Sequence, residues 1–255
     1  MHPRVWLARI APTRRSLAVG LGIVAFALFA YLLARETPLF AIDRIEVEGS
    51  SPRVAGEVRH ALASMVGSPL VGLDGSAVVR KVEALPTVVS AGYDRSFPHT
   101  LRITVVPERP AAVLRSGPRS WLVSIRGRIM ERLASGADSS LPRVWVPAHT
   151  AVLVGSTLGP ETARVAVRAA GLAGALAPRI ATAAYGGGQL EFRLRSGLQV
   201  MLGAATDVRL KVAVAQRALT FVPSGSTYLD VSVPGRAVSG TGSPLVDAPQ
   251  GSSRG

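Results

Sequence analysis

The sequence predicts an α+β protein with a single N-terminal transmembrane helix, a small strand-helix-helix-strand-strand domain, and then a mixed β-rich domain with two helices. Three observations carry this. An uncharged run fills Leu17 to Leu33, apolar residues alternate with polar ones from residue 44 onward, and helix-period stripes interrupt that alternation.

Leu17 to Leu33 is 17 residues without a charge, about 26 Å as a helix, enough for a bilayer core if the flanks adjust. Its Leu, Val, Ile and Phe residues favour insertion by roughly 3 to 6 kcal/mol. Arg4, Arg9, Arg14 and Arg15 precede the run, whereas Arg35 follows beside Glu36. This asymmetry predicts a cytoplasmic tail over 1–16, an anchor over 17–34 and an extracytoplasmic remainder. A cleaved signal peptide competes, but large Leu28 and Leu32 flank poorly the cleavage points at Ala30 and Ala34. A buried core helix is disfavoured because the run has no polar stripe.

The chain carries +13 at pH 7 and no cysteine, so thiolate chemistry, disulfides and cysteine metal sites are excluded. Its arginines are scattered singly, without the interleaved aromatics that make a stacking platform for nucleic acid. A solvated basic surface, suited to anionic headgroups or wall polymers, accounts for them.

The first soluble domain begins at Phe40. Ile45 and Val47 alternate with Arg44, Glu46 and Glu48 as in a half-buried strand, and Gly49-Ser50-Ser51-Pro52 turns the chain. Val54, Val58, Ala61, Leu62 and Met65 share a helical face that Gly67-Ser68-Pro69 ends. Asp74 caps a second helix whose stripe is Val78, Val82 and Leu85, stopped by Pro86. Two strands follow, with Val89, Ala91 and Tyr93 on one face of the first and Leu101, Ile103 and Val105 on one face of the second. Ser96-Phe97-Pro98-His99 turns between them. A three-stranded sheet covered on one face by two helices buries all these stripes.

The second domain repeats the logic over 110–238. Ser120 to Ile125 and Arg128 to Leu133 read as a hairpin around Arg126-Gly127, and Arg143 to Val146 as a further strand. Pro160 opens a helix with the stripe Val165, Ala169, Leu172 and Leu176. Leu190, Phe192 and Leu194 pair with Leu198, Val200 and Leu202 across Ser196-Gly197. The next helix, about Asp207 to Thr220, places Leu210, Val214, Ala218 and Phe221 on one side. Tyr228 to Arg236 alternates like a strand, and residues 239–255 read as a disordered tail.

The order β-α-α-β-β, the run Asp94-Arg95-Ser96-Phe97-Pro98-His99-Thr100-Leu101-Arg102-Ile103 and the closing Val106-Pro107-Glu108-Arg109-Pro110-Ala111-Ala112-Val113 resemble the POTRA domain of the FtsQ/DivIB family of bacterial cell-division proteins. The domain spans 40–109. Other POTRA carriers have repeated units ahead of a long barrel, whereas a basic tail, one membrane pass, one POTRA unit and one further domain is the FtsQ arrangement. The resemblance covers about Leu17 to Val238.

It implies a non-enzymatic divisome scaffold at the septum, in the plasma (inner) membrane, that links early and late division proteins and helps control septal peptidoglycan synthesis. Its implied partners are FtsB or DivIC and FtsL, and indirectly FtsW and FtsI. The implied partner-binding residues are Lys211, in the last helix, and the C-terminal strand Tyr228, Leu229, Asp230, Val231, Ser232 and Val233, to whose edge a partner adds a strand. The alternative is a membrane-anchored POTRA chaperone or secretion receptor that binds clients by the same edge pairing.

No catalytic constellation, cofactor site or metal site is expected. His2, His60, His99 and His149 are widely spaced, and His99 reads as a turn residue. Gly155-Ser156-Thr157-Leu158-Gly159 has its serine one place early for a nucleophile elbow. Gly186-Gly187-Gly188 lacks the lysine and helix of a phosphate loop, and Glu161 and Glu191 fall on exposed faces.

Overall fold

The computed structural model describes residues 14–36, 40–134 and 140–242. Most of the expected cytoplasmic tail and of the expected C-terminal tail lies outside the described residues. The chain divides into two compact units, Met1–Glu83 with Ser90–Val106, and Ala84–Val89 with Pro107–Gly255.

Helix α1 spans Arg14–Glu36. Among the described residues no helix is long and apolar enough to cross a membrane. The apolar sequence itself continues to Leu33.

In the first unit, β1 (Arg44–Glu48), α2 (Pro52–Leu62), α3 (Gly75–Glu83), β2 (Val88–Ser96) and β3 (Thr100–Pro107) follow the expected order. The sheet runs β1-β3-β2, with β1 parallel to β3. Ile42, Val58, Leu62, Leu70, Val78, Val82, Leu101 and Ile103 are fully buried. At about 1.5–3 kcal/mol each, these side chains hold the two helices on the sheet. Asp74 Oδ1 accepts from the Ser76 and Ala77 amides at 2.9 and 3.2 Å, capping α3. Gly49 adopts φ 80°, and a Cβ there would lie 2.5 Å from the Val105 carbonyl oxygen, so only glycine turns the chain at this point. On β2 the expected face is only half covered: Tyr93 is 39% exposed, its ring resting on Gly75.

The second unit holds a nine-stranded sheet in the order β12-β11-β10-β9-β8-β7-β4-β5-β6. Its strands are β4 (Pro110–Ser116), β5 (Arg119–Ser124), β6 (Ile129–Leu133), β7 (Arg143–Trp145), β8 (Ile180–Gly186), β9 (Gln189–Leu194), β10 (Gln199–Gly203), β11 (Tyr228–Asp230) and β12 (Val238–Gly240). The pairs β4-β7, β7-β8 and β10-β11 are parallel. Helix α4 (Glu161–Leu172) lies against β4, β7 and β8, and α5 (Val208–Ala218) against β10. The β9-β10 hairpin forms as the alternation predicts, with Leu190, Phe192, Leu194, Val200 and Leu202 buried and Gly197 at φ 92° in the turn. The segment before β2 belongs to this unit because the Glu108 amide donates to the Thr87 carbonyl at 2.9 Å and Arg128 reaches the Val88 and Ala84 carbonyls.

Both helices of this unit turn inward a face rotated from the one their sequences suggest, α4 only in part. The core side of α4 is Ala163, Ala166, Val167, Ala169 and Ala170; of the expected stripe Ala169 and Leu176 are buried, while Val165 and Leu172 are only half-buried. The core side of α5 is Val208, Lys211, Val212 and Ala215; Leu210 is 54% exposed and Phe221 beyond the helix is 77% exposed. The cause is spacing: small alanines let α4 sit close on the sheet, leaving its larger aliphatic side chains at the flank.

Candidate partner-binding edge

The expected binding strand β11 is an interior strand. It pairs parallel with β10 on one side and antiparallel with β12 on the other. The Gln199 amide donates to the Thr227 carbonyl at 3.0 Å and the Val231 amide to the Met201 carbonyl at 2.8 Å, so residues 229 and 231 turn their backbone groups toward β10, while Thr227 bridges both neighbours, its amide donating to the Gly240 carbonyl of β12 at 2.8 Å. Tyr228 and Asp230 therefore turn theirs toward Gly240 and Val238 of β12. Among the described residues β11 thus has no open edge, so a strand would not add directly to Tyr228–Asp230 as expected.

The edge passes to β12. Gly240 and Val238 face β11, and the alternation of a strand then directs the amide and carbonyl of Ser239 to the open side. Among the described residues no strand pairs there. The link from β11 to β12 is set locally: Asp230 Oδ1 accepts from the Ser232 amide at 2.8 Å, the Arg236 amide donates to the Val233 carbonyl, and Pro234-Gly235 turns the chain. A Cβ on Gly240 would lie 2.7 Å from the Tyr228 hydroxyl oxygen, so glycine lets the tyrosine ring cross the strand.

The opposite edge of the sheet is less open. Where β6 begins, the Ile129 amide donates to the Ser156 carbonyl at 2.9 Å and the Gly155 amide to the Ile129 carbonyl at 2.8 Å, so the loop over 155–157 covers it.

The named side chains separate by burial. Leu229 and Val231 are core residues, Val231 with no exposure at all; Tyr228, Asp230 and Ser232 are half-buried; Val233 is 59% exposed. Lys211 is 4% exposed, and its Nζ donates to the Ala204 carbonyl at 2.7 Å. There it fastens the β10-α5 loop. Val238 to Gly240 escaped the sequence reading because three residues show no periodicity; the Pro-Gly turn ahead of them was the available signal.

His99 Nδ1 lies 3.1 Å from the Ala41 carbonyl, a turn contact as its position suggests. Among the described residues no group of three or more His, Asp or Glu is placed to hold a metal ion.

The family model for the FtsQ-type POTRA domain matches residues 40–108, the first unit's strand-helix-helix-strand-strand segment. A relative from Streptomyces venezuelae, a cell division protein FtsQ, is 25% identical over 231 residues, 88% of this chain and 83% of its own length. The cell division protein FtsQ of Streptomyces collinus is 29% identical over 200 residues, 76% of this chain and 75% of its own. The first unit thus matches the FtsQ-type POTRA domain, and over most of its length the chain is similar to FtsQ cell-division proteins.

The FtsQ-type match ends at residue 108, whereas the similarity to the Streptomyces FtsQ proteins covers three quarters or more of the chain. The likeness therefore extends beyond the POTRA unit into the nine-stranded unit that carries the β12 edge.

Proposed function

We propose that this protein is a cell-division scaffold of the FtsQ/DivIB family that works by binding, without turnover, and that its principal docking element is the open edge of β12. The observation that carries the reading is the last-in-sheet position of β12, with the Ser239 amide and carbonyl facing outward. An added strand would make hydrogen bonds there that β12 does not already make, and alternate side chains would select the partner. The family resemblance names that partner as FtsB or DivIC together with FtsL, and through them the septal synthase pair FtsW and FtsI.

In the same reading, the Leu17–Leu33 run crosses the plasma membrane once, with the N-terminus in the cytoplasm and both units outside. Leu21 and Phe26 on α1 are each 73% exposed, an apolar surface that water does not favour and lipid does. The arginines ahead of the run support the orientation.

Imaging a fluorescent fusion of the full chain in dividing cells tests the assignment. A band at the septum, with division blocked on depletion, is expected. Even signal around the envelope with normal division would favour a chaperone or secretion role and overturn the scaffold.

A further inference from the structure

Helices α4 and α5 leave a groove between them, about 670 Å³ in volume. Its floor is apolar, made by Val165 and Leu172 of α4, Leu210 of α5 and Ile125 from the β5-β6 turn. Ile125 lies on α4 at Gly171, where a Cβ would come within 2.6 Å of it, so the glycine admits the side chain that builds this wall. The apolar side chains that the helical periodicity would bury are the ones the fold leaves here. Leu210 is more than half exposed although the core of the same helix is filled by smaller Val212 and Ala215.

The rim is cationic. Arg126, Arg168 and Arg209 are exposed around the groove and make no ion pair or hydrogen bond among the described residues. Arg164 also lines it, held by the Leu158 and Gly159 carbonyls at 3.3 Å. Glu161 and Asp207 are the opposing acids, so the lining carries a net +2 from four arginines less two carboxylates. Three guanidinium groups without partners above an apolar floor complement an occupant that is acidic at its sides and apolar beneath.

We infer that the α4-α5 groove is a second docking surface, which takes an acidic amphipathic helix from a protein partner. The shape selects a helix over a membrane, since a groove between two helices is concave and a bilayer surface is flat. Val165 and Leu172 stand at i and i+7 along the floor, about 10 Å apart over the buried Ala169, which matches two turns of an incoming helix with apolar residues at the same spacing. Acidic residues on either flank of that helix meet Arg126, Arg168 and Arg209. This surface is separate from the β12 edge and does not depend on strand addition there.

The test uses the full chain in a non-ionic detergent and a fluorescent helical peptide of roughly 18 residues, long enough to hold a helix. The peptide carries leucines at i, i+4 and i+7 and glutamates on both flanks; a second peptide replaces the glutamates with lysines. Fluorescence anisotropy is expected to show binding of the acidic peptide that weakens steeply as salt rises toward 1 M, where the screening length is about 3 Å. Arg168→Glu with Arg209→Glu is expected to weaken it roughly tenfold or more, and to gain the lysine peptide in exchange. Both arginines are exposed, so the double variant keeps the parent's melting curve.

Ser239→Pro is expected to bind the acidic peptide as the parent does; loss there would place the peptide on β12 and overturn the inference. Equal binding by the charge-reversed variant, or no binding by the parent, would also overturn it. So would failure of the peptide to bind while phosphatidylglycerol vesicles bind through the same two arginines, which would make the groove a lipid site.

Discussion

Ser239→Pro isolates the docking edge from the fold. The amide of Ser239 faces outward while those of Val238 and Gly240 face β11, so proline at 239 removes a donor that no described strand uses. Val238 then precedes a proline, which favours the extended conformation it already has. Stability should stay within about 0.5 kcal/mol of the parent, as for an ordinary surface change. An added strand, in contrast, would meet a missing donor and a ring in its path. Leaving its carbonyl unpaired costs about 1–3 kcal/mol, a loss of roughly 5- to 150-fold in affinity. Calorimetric titration of the extracytoplasmic part of FtsB or DivIC onto the full chain measures it. Undiminished affinity in a variant with an unchanged melting curve would refute strand addition at β12. Gly240→Pro is the control: it removes an amide that faces β11 and should unseat β12, lowering stability and binding together.

Three further outcomes follow from burial and hydrogen bonding. Val231→Asp places a charge where there is no exposure and should destabilise the unit by on the order of 4 kcal/mol, whereas Val233→Asp, at 59% exposure, should be nearly neutral; denaturant titration distinguishes them. A charge at Val231 thus cannot probe binding with the domain intact. Lys211→Met keeps the length of the side chain but removes a buried ammonium, so stability should change by less than about 1.5 kcal/mol; a larger loss would show that the bond to the Ala204 carbonyl holds the loop more firmly than packing does. The Asp74 carboxyl is held below its ordinary value of 3.8, chiefly by the Ser76 hydroxyl and then the Ala77 amide. Its cap is fully present above pH 3.8 and is lost as pH falls through the lowered value, so Asp74→Ala should melt earlier than the parent at neutral pH, and the gap should close in strong acid. A gap that stayed constant with pH would mean that the carboxylate is not the cap.

Sequence and structure agree where side-chain pattern alone sets the answer. Ile45 and Val47 alternate with charges, Asp74 stands before Val78 and Val82, and Leu190 to Leu202 alternates on both arms of a hairpin; each of these elements forms as read. They diverge where alanine does the packing. Strand β8, Ile180–Gly186, is too rich in alanine to announce itself, and β4 is buried at four consecutive positions from Ala111 to Leu114, so it shows no alternation. Alanine also hides the core face of α4, where close approach to the sheet replaces bulk. The candidate site diverges for another reason. Tyr228 to Asp230 reads as a strand and is one, but whether a strand is interior or at an edge depends on its neighbour, and β12 is only three residues long.

A photo-crosslinking residue at Ser239 in the full chain, activated in dividing cells, tests docking at β12 most directly. Strand addition at β12 predicts an adduct with FtsB or DivIC from Ser239 and none from the same residue at Glu131 on the far edge of the sheet. An adduct from Glu131 with none from Ser239 would contradict it.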